Sequence, residues 1–235
     1  VKNGRRGFLR AATAFGVATF AEIGGPTRAE AKSEDDKKAV PEEEVTATED
    51  LMREHGVLNR ILLVFEEGMR RLREKKDVSP DVFHKPALLV RKFVEDYHEK
   101  LEENFIFPEF EKQKKLTELV KVLRQQHAAG RKTTDVILRN AAADQFRKED
   151  PRKELVAACQ AFIRMYRPHE AREDTVLFPA LHKLVPATRI KELGEQFEKE
   201  EDRLFGDEGF EKTVVEVAGI EKQLGIYDLA LFTPT

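Results

Sequence analysis

Two stretches of this chain carry the residue types and spacing of a metal site. Residues 98–108 read HEKLEENFIFP and residues 169–179 read HEAREDTVLFP. In each, a His is followed four places later by a Glu: His98 with Glu102, and His169 with Glu173. On a helix, residues four apart differ by about 40° around the axis and one turn along it, so each pair offers an imidazole and a carboxylate to the same side. The match extends to Glu99 and Glu170, the acids Glu103 and Asp174, Phe107 and Phe178, and Pro108 and Pro179. Two further histidines stand in REHGVLNR (His55) and QQHAAGRK (His127). His55 and His127 are 72 positions apart, His98 and His169 are 71, so one helical hairpin is written twice.

Imidazole with carboxylate suits iron, manganese or zinc, and carboxylates reaching between helices favour two ions. Cys159 is the only cysteine, which excludes both a thiolate cluster and an internal disulfide. Two other metal motifs fail on spacing. The HExxH pattern needs a second His where Glu102 and Glu173 stand. The Glu-x-x-His pattern of ferritin-like sites fits Glu95 and His98, but the second copy has Tyr166 in place of the Glu.

These side chains need elements to carry them. Leu51, His55, Leu58, Leu62 and Phe65 step by three and four, predicting a first helix from about Thr46 that fades by Lys76. A second helix is expected over 81–113, with Val90, Val94, His98, Leu101, Glu102 and Phe105 inward and Pro86 and Pro108 set to bend or shorten it. The third, 116–146, places Leu116, Val120, Leu123, His127, Thr134 and Leu138 in one stripe. The fourth, 151–184, buries Leu155, Phe162, Met165, His169 and Val176, with a kink expected at Pro168. Two more helical segments follow, 186–204 and 210–231. No stretch alternates as a strand would, so the fold class is all-α: an up-down-up-down four-helix bundle built from a duplicated hairpin, with additional C-terminal helices.

With about 1.5 Å of rise per residue, the four histidines fall at one depth of that bundle. Four imidazoles and two carboxylates on apolar stripes are costly to desolvate unless something pairs with them, and a metal does. Glu99, Glu103, Glu170 and Asp174 read as solvent-facing acids, although each stands where it could bond a ligating His from outside. Tyr166 reads as core packing, His84 and His182 as surface residues.

The charge pattern excludes other partners. Charged residues make up 36% of the chain but the net is −3 with both signs interspersed, so neither nucleic acid nor an anionic membrane is expected. Near the start, Arg5 and Arg6 precede Phe8 and Leu9, a weakly apolar run and an A-x-A at residues 29–31. This resembles a twin-arginine export signal cleaved after Ala31, its apolar run interrupted by Arg10 and Glu22 and too short for a stable span. The expected organisation is a signal over 1–31, a charged linker over 32–45, the bundle over 46–185 and a C-terminal helical extension over 186–235, the extension capping the bundle or serving a homodimer. The expected location is the periplasm or beyond.

The order His, His-x-x-x-Glu, His, His-x-x-x-Glu over about residues 46–185 resembles the bacterial hemerythrin-like proteins with an HHE cation-binding domain. That resemblance implies a non-haem di-iron site ligated by His55, His98, Glu102, His127, His169 and Glu173, with Glu102 and Glu173 bridging. It implies O₂, NO or peroxide as small ligand, and roles in O₂ binding, sensing or iron buffering. Oxygen-carrying hemerythrins have a further His one turn after the third-helix ligand, where this chain has Arg131. A metal-binding and O₂-binding protein is therefore expected before an enzyme. The alternative, a redox enzyme reducing peroxide or NO, would need an external electron donor, since the chain has no flavin, haem or iron–sulfur motif.

Overall fold

The structure, a computed structural model, describes residues 45–234. The twin arginine, the A-x-A and nearly all of the charged linker lie outside the described residues.

Helix α1 (Ala47–Arg73) opens on a capping box: the Thr46 hydroxyl accepts from the Glu49 N–H, and the Glu49 carboxylate accepts from the Thr46 N–H. Two of the four orphan donors of its first turn are thereby satisfied. Its buried face carries Leu51, His55, Leu58, Leu62 and Phe65 as their spacing predicts. The helix closes with Arg70, Arg71 and Arg73 in its last turn, where positive charge complements the helix dipole.

Helix α2 is one rod over 81–113 that changes pitch four times. It is α-helical over Asp81–Leu89, π-helical over Val90–His98, α-helical over Glu99–Leu101, π-helical over Glu102–Ile106 and α-helical over Phe107–Gln113. The Phe107 N–H bonds the Glu102 carbonyl five residues back, directly before Pro108. A proline has no N–H for the carbonyl four back, and a widened turn beside it is where the hydrogen-bond ladder changes register. So neither Pro86 nor Pro108 ends the helix.

Helix α3 (Thr117–Asn140) stops short of the expected 146, and a single turn, α4 (Ala143–Phe146), follows it. Helix α5 spans 149–184: α-helical over Glu149–Arg172, π-helical over Glu173–Leu177 and α-helical over Phe178–Leu184. It runs helically through Pro168, and its irregularity falls instead at Glu173, whose carbonyl accepts from the Phe178 N–H. The extra residue in each π turn moves the apolar stripe on by one. Ile106 and Leu177 are fully buried where Phe105 and Val176 were expected to be. On α3, Ile137 is buried in place of Leu138, and Leu116 is exposed.

Helices α3 and α5 pack along each other, and α1 packs on α2 and α5, which closes the bundle. Helices α6 (Ala187–Phe205) and α7 (Gly209–Leu224) lie against α1 and against the α2 rod. Helix α7 ends seven residues earlier than the sequence suggests, at Gly225 with φ 65°, a left-handed cap that glycine adopts without strain. No strand occurs among the described residues, and none of their helices is long and apolar enough to cross a membrane.

Candidate metal centre

The four bundle helices bring all six predicted donors into one buried layer: His55 from α1, His98 and Glu102 from α2, His127 from α3, His169 and Glu173 from α5. None of the four histidines is more than 4% exposed, and Glu102 and Glu173 are fully buried.

Every imidazole is oriented from its outer nitrogen. His55 Nδ1 is 2.7 Å from Asp174 Oδ1, His98 Nδ1 2.8 Å from Glu54 Oε2, His127 Nδ1 3.1 Å from Glu103 Oε1 and His169 Nδ1 2.9 Å from Gln126 Oε1. An acceptor on Nδ1 fixes the proton there and leaves the Nε2 lone pair for the interior, the usual support of a metal-ligating histidine. The supports repeat with the hairpin. Glu103 and Asp174 each follow a candidate ligand by one residue, while Glu54 and Gln126 each precede one.

The inner nitrogens face the two carboxylates. Glu102 Oε2 lies 3.4 Å from His127 Nε2 and 3.7 Å from His98 Nε2; Glu173 Oε2 lies 3.1 Å from His169 Nε2 and 3.5 Å from His55 Nε2. Both carboxylates therefore reach histidines of two different helices. Donor atoms of Glu102, His127, His169 and Glu173 all fall within 4.8 Å of one another, as do those of His55, His98 and Glu102. The two groups have Glu102 in common.

Both oxygens of Glu102, both of Glu173 and His55 Nε2 are buried with no hydrogen-bond partner. Such groups are unfavourable unless an ion completes them. Without one, the neighbouring acids favour the protonated forms of His55, His98 and His127. Burial works against the charge on His127, but Glu99, Glu102 and Glu103 outweigh it and push its pKa up to about 10. His55 is likewise raised, burial being overcome by Asp174 and Glu173. Glu173, for all its burial, is held below the usual carboxylate range by His169 and His55. Two divalent cations would take the place of these protons, so the donor set fits a metal pair in charge as well as in reach.

The recurring Phe-Pro has a role here as well. Phe107 stacks on His127 with ring centroids 5.5 Å apart, and Phe178 stacks on His55 at 5.8 Å. Each π turn thus sets a ring of its own helix against an imidazole of a neighbour.

The acids expected to face solvent all turn toward the centre, Asp174 while remaining partly exposed. Glu99 and Glu170 are buried, and Glu103 and Asp174 hold His127 and His55. Tyr166 does more than pack: its hydroxyl donates to Glu99 Oε1 at 2.6 Å, and a Cβ on Gly130 would sit 2.1 Å from the Tyr166 hydroxyl oxygen. Arg131 does not stand ready to ligate. Its Nη2 is 2.6 Å from Glu99 Oε2 and 2.7 Å from Glu103 Oε1. His182 is exposed and hydrogen-bonded to Thr48, and His84 is half-buried away from the layer. Glu54 and Gln126 escaped the sequence reading. They occupy the same place in the two copies, but one is an acid and the other an amide, so no repeated letter marks them.

The sequence profile of the hemerythrin HHE cation-binding domain matches residues 46–181. The uncharacterized proteins Rv1995 of Mycobacterium tuberculosis and Mb2018 of Mycobacterium bovis are each 46% identical over 233 residues, covering 99% of this chain and 91% of theirs. No solved structure gives a significant match. With its histidines, its glutamates and its profile in agreement, the chain belongs to the hemerythrin HHE cation-binding domain family.

Proposed function

We propose that this protein holds two non-haem iron ions through His55, His98, Glu102, His127, His169 and Glu173, with Glu102 and Glu173 shared between them, and binds O₂ or a related small ligand there. The observation that carries this reading is the set of buried, partnerless carboxylate oxygens facing four Nδ1-anchored imidazoles. When bound, a pair of irons supplies a redox-active centre able to take O₂, NO or peroxide as a ligand.

The chain's own part is binding, orientation and exclusion. Asp174, Glu54, Glu103 and Gln126 keep the proton on Nδ1 and aim each Nε2 inward. Phe107 and Phe178 cover His127 and His55 and keep the layer dry. Arg131, bound to two acids, offers no imidazole at the position used by oxygen carriers. Fewer imidazoles favour oxidised iron, so a ligand-binding or iron-buffering role is preferred here to sustained reversible O₂ carriage. Residues 1–31 are read as a twin-arginine signal that exports the chain already folded, with iron inserted before it meets competing metals outside. Failure of residues 1–31 to export a reporter that matures only in the cytoplasm would remove that part.

The test is anaerobic purification from iron-supplied cells, metal analysis, and visible spectra during addition of O₂ and then peroxide. Two irons per chain and a visible band that appears when the ligand is added support the reading, and a band that disappears when O₂ is withdrawn would establish reversible O₂ binding despite Arg131. Sustained peroxide consumption with an electron donor would move the function to a redox enzyme. A chain without metal, and unable to take it up, would end the proposal.

A further inference from the structure

The two halves of the centre repeat each other in sequence but differ in what surrounds them. At the α2–α3 interface, Glu103 is enclosed by positive charge. Arg131 Nη2 lies 2.7 Å from its Oε1, Lys100 Nζ lies 2.6 Å from its Oε2, and Arg124 Nη2 donates to its backbone carbonyl at 3.1 Å. The Arg124 guanidinium also sits over Phe107, 5.1 Å from the ring centre. The corresponding interface of the second copy is α1–α5, where Asp174 takes the place of Glu103 and Glu170 that of Glu99. There the positions equivalent to Arg124, Arg131 and Lys100 are Met52, Asn59 and Ala171. A divalent cation nearing the centre thus meets acids already paired with arginine and lysine on one side, and on the other two acids held by His55 and Asn59 instead.

Those two acids form a line inward. The Asp174 side chain is 34% exposed and touches His55, beside the exposed Gly56 and Asn59 of α1. One turn along α5, Glu170 is 3% exposed; its Oε2 accepts from the Asn59 amide, while its Oε1 is buried with no partner. A carboxylate oxygen desolvated this far with nothing bonded to it is unfavourable unless something visits it. Its twofold equivalent, Glu99, accepts from Tyr166 at one oxygen and is ion-paired with Arg131 at the other, where Glu170 has no cation.

We propose that the α1–α5 interface is the port through which divalent cations reach the centre, and that Glu170 is the carboxylate that receives them between Asp174 and the inner donors. The proposal rests on the metal-binding reading above. Glu170 is a transit residue, distinct from the six ligands, and it serves a cation on its way in and on its way out.

A residue that only lowers a barrier is passed in both directions, so removing its charge slows uptake and release alike and leaves affinity unchanged. The experiment mixes the metal-free chain with cobalt(II) in a stopped-flow instrument, follows the visible band of the bound ion, and measures release into excess chelator. Glu170→Gln is expected to slow both rates about tenfold or more, within the range that local charge exerts on association. Ions bound per chain and Kd should match wild type. Glu170→Asp, which keeps the charge, should recover most of the rate, and it reads the same quantity if the Gln variant does not fold. Unchanged rates in Glu170→Gln overturn the port, and so does weaker binding with faster release, which would make Glu170 a support of the bound ions. If wild type itself takes up no cobalt, the metal reading fails before the port is tested.

Discussion

Glu54 and Gln126 occupy equivalent places in the two hairpins, yet one hands His98 a carboxylate and the other hands His169 a neutral amide. A charged acceptor on Nδ1 makes the imidazole a stronger donor through Nε2, and changing such a support alters metal affinity by about 10–100-fold. Glu54→Gln should therefore weaken one of the two metal positions by about that factor and leave the other close to wild type, with Gln126→Glu acting in the opposite sense. Stepwise titration with cobalt(II) resolves the two affinities. Equal weakening of both positions would contradict this division of labour. Glu95 supports a second prediction at this scale. Burial raises its pKa to about 7 from the ordinary 4.5, and the charge of Glu99 adds to the rise. A raised folded-state pKa means its contribution is fully present below pH ~4.5 and is lost as pH climbs through about 7. Glu95→Gln, neutral throughout, should match wild type near pH ~4 and be the more stable protein at pH ~8, by on the order of 3 kcal/mol at most. Thermal melting at the two pH values, in the same metal state, decides it. At this scale the sequence discloses the donors, because a four-residue step fixes their common direction. The supports are hidden, because they come from neighbouring helices whose facing no local spacing encodes.

Among elements, the two matching π turns that begin at Glu102 and Glu173 explain both the success and the misses of periodicity. Up to Glu102 and Glu173 every donor falls on its predicted face, even though Val90–His98 of α2 is already π-helical. One residue later the rhythm slips, and Ile106 and Leu177 take the buried places. A fixed period cannot report a slip of one, and Phe-Pro signals it only to a reader who knows the proline continues the helix. The contact between α3 and α5 offers a test of close packing. Gly130 leaves the space in which the Tyr166 hydroxyl reaches Glu99, and an added Cβ would overlap it. The tyrosine is buried and hydrogen-bonded and has nowhere to retreat. Gly130→Ala should cost about 1–3 kcal/mol by overpacking and loss of that bond. Adding Tyr166→Phe should recover part of the loss, a coupling that chemical denaturation of the single and double variants measures.

At the scale of the molecule, the C-terminal pair settles against the first hairpin. Phe205 of α6 lies 5.8 Å from Phe93 and 5.4 Å from Tyr97, Phe210 of α7 lies 6.4 Å from Phe93, and Glu221 of α7 holds Arg60 of α1. The sequence announces these two helices by their apolar spacing, but which face they cover depends on contacts more than a hundred residues away. Truncation after Val185 would strip the cover from Phe93 and Tyr97, beside His98. At about 2 kcal/mol for each large side chain returned to water, the bundle should lose on the order of 5 kcal/mol. The measurable outcome is a lower melting temperature together with faster loss of metal to a chelator. A truncated chain that melts and holds metal like the whole one would show that α6 and α7 belong to some other task.

The π turns also carry a record of descent. A widened turn arises when one residue is inserted into a helix, and such an insertion is seldom tolerated, because it rotates everything after it. Here it lies at the same distance from the ligand in both halves, with the same Phe and Pro behind it. The economical history is one insertion in a single ancestral hairpin, copied when that hairpin doubled.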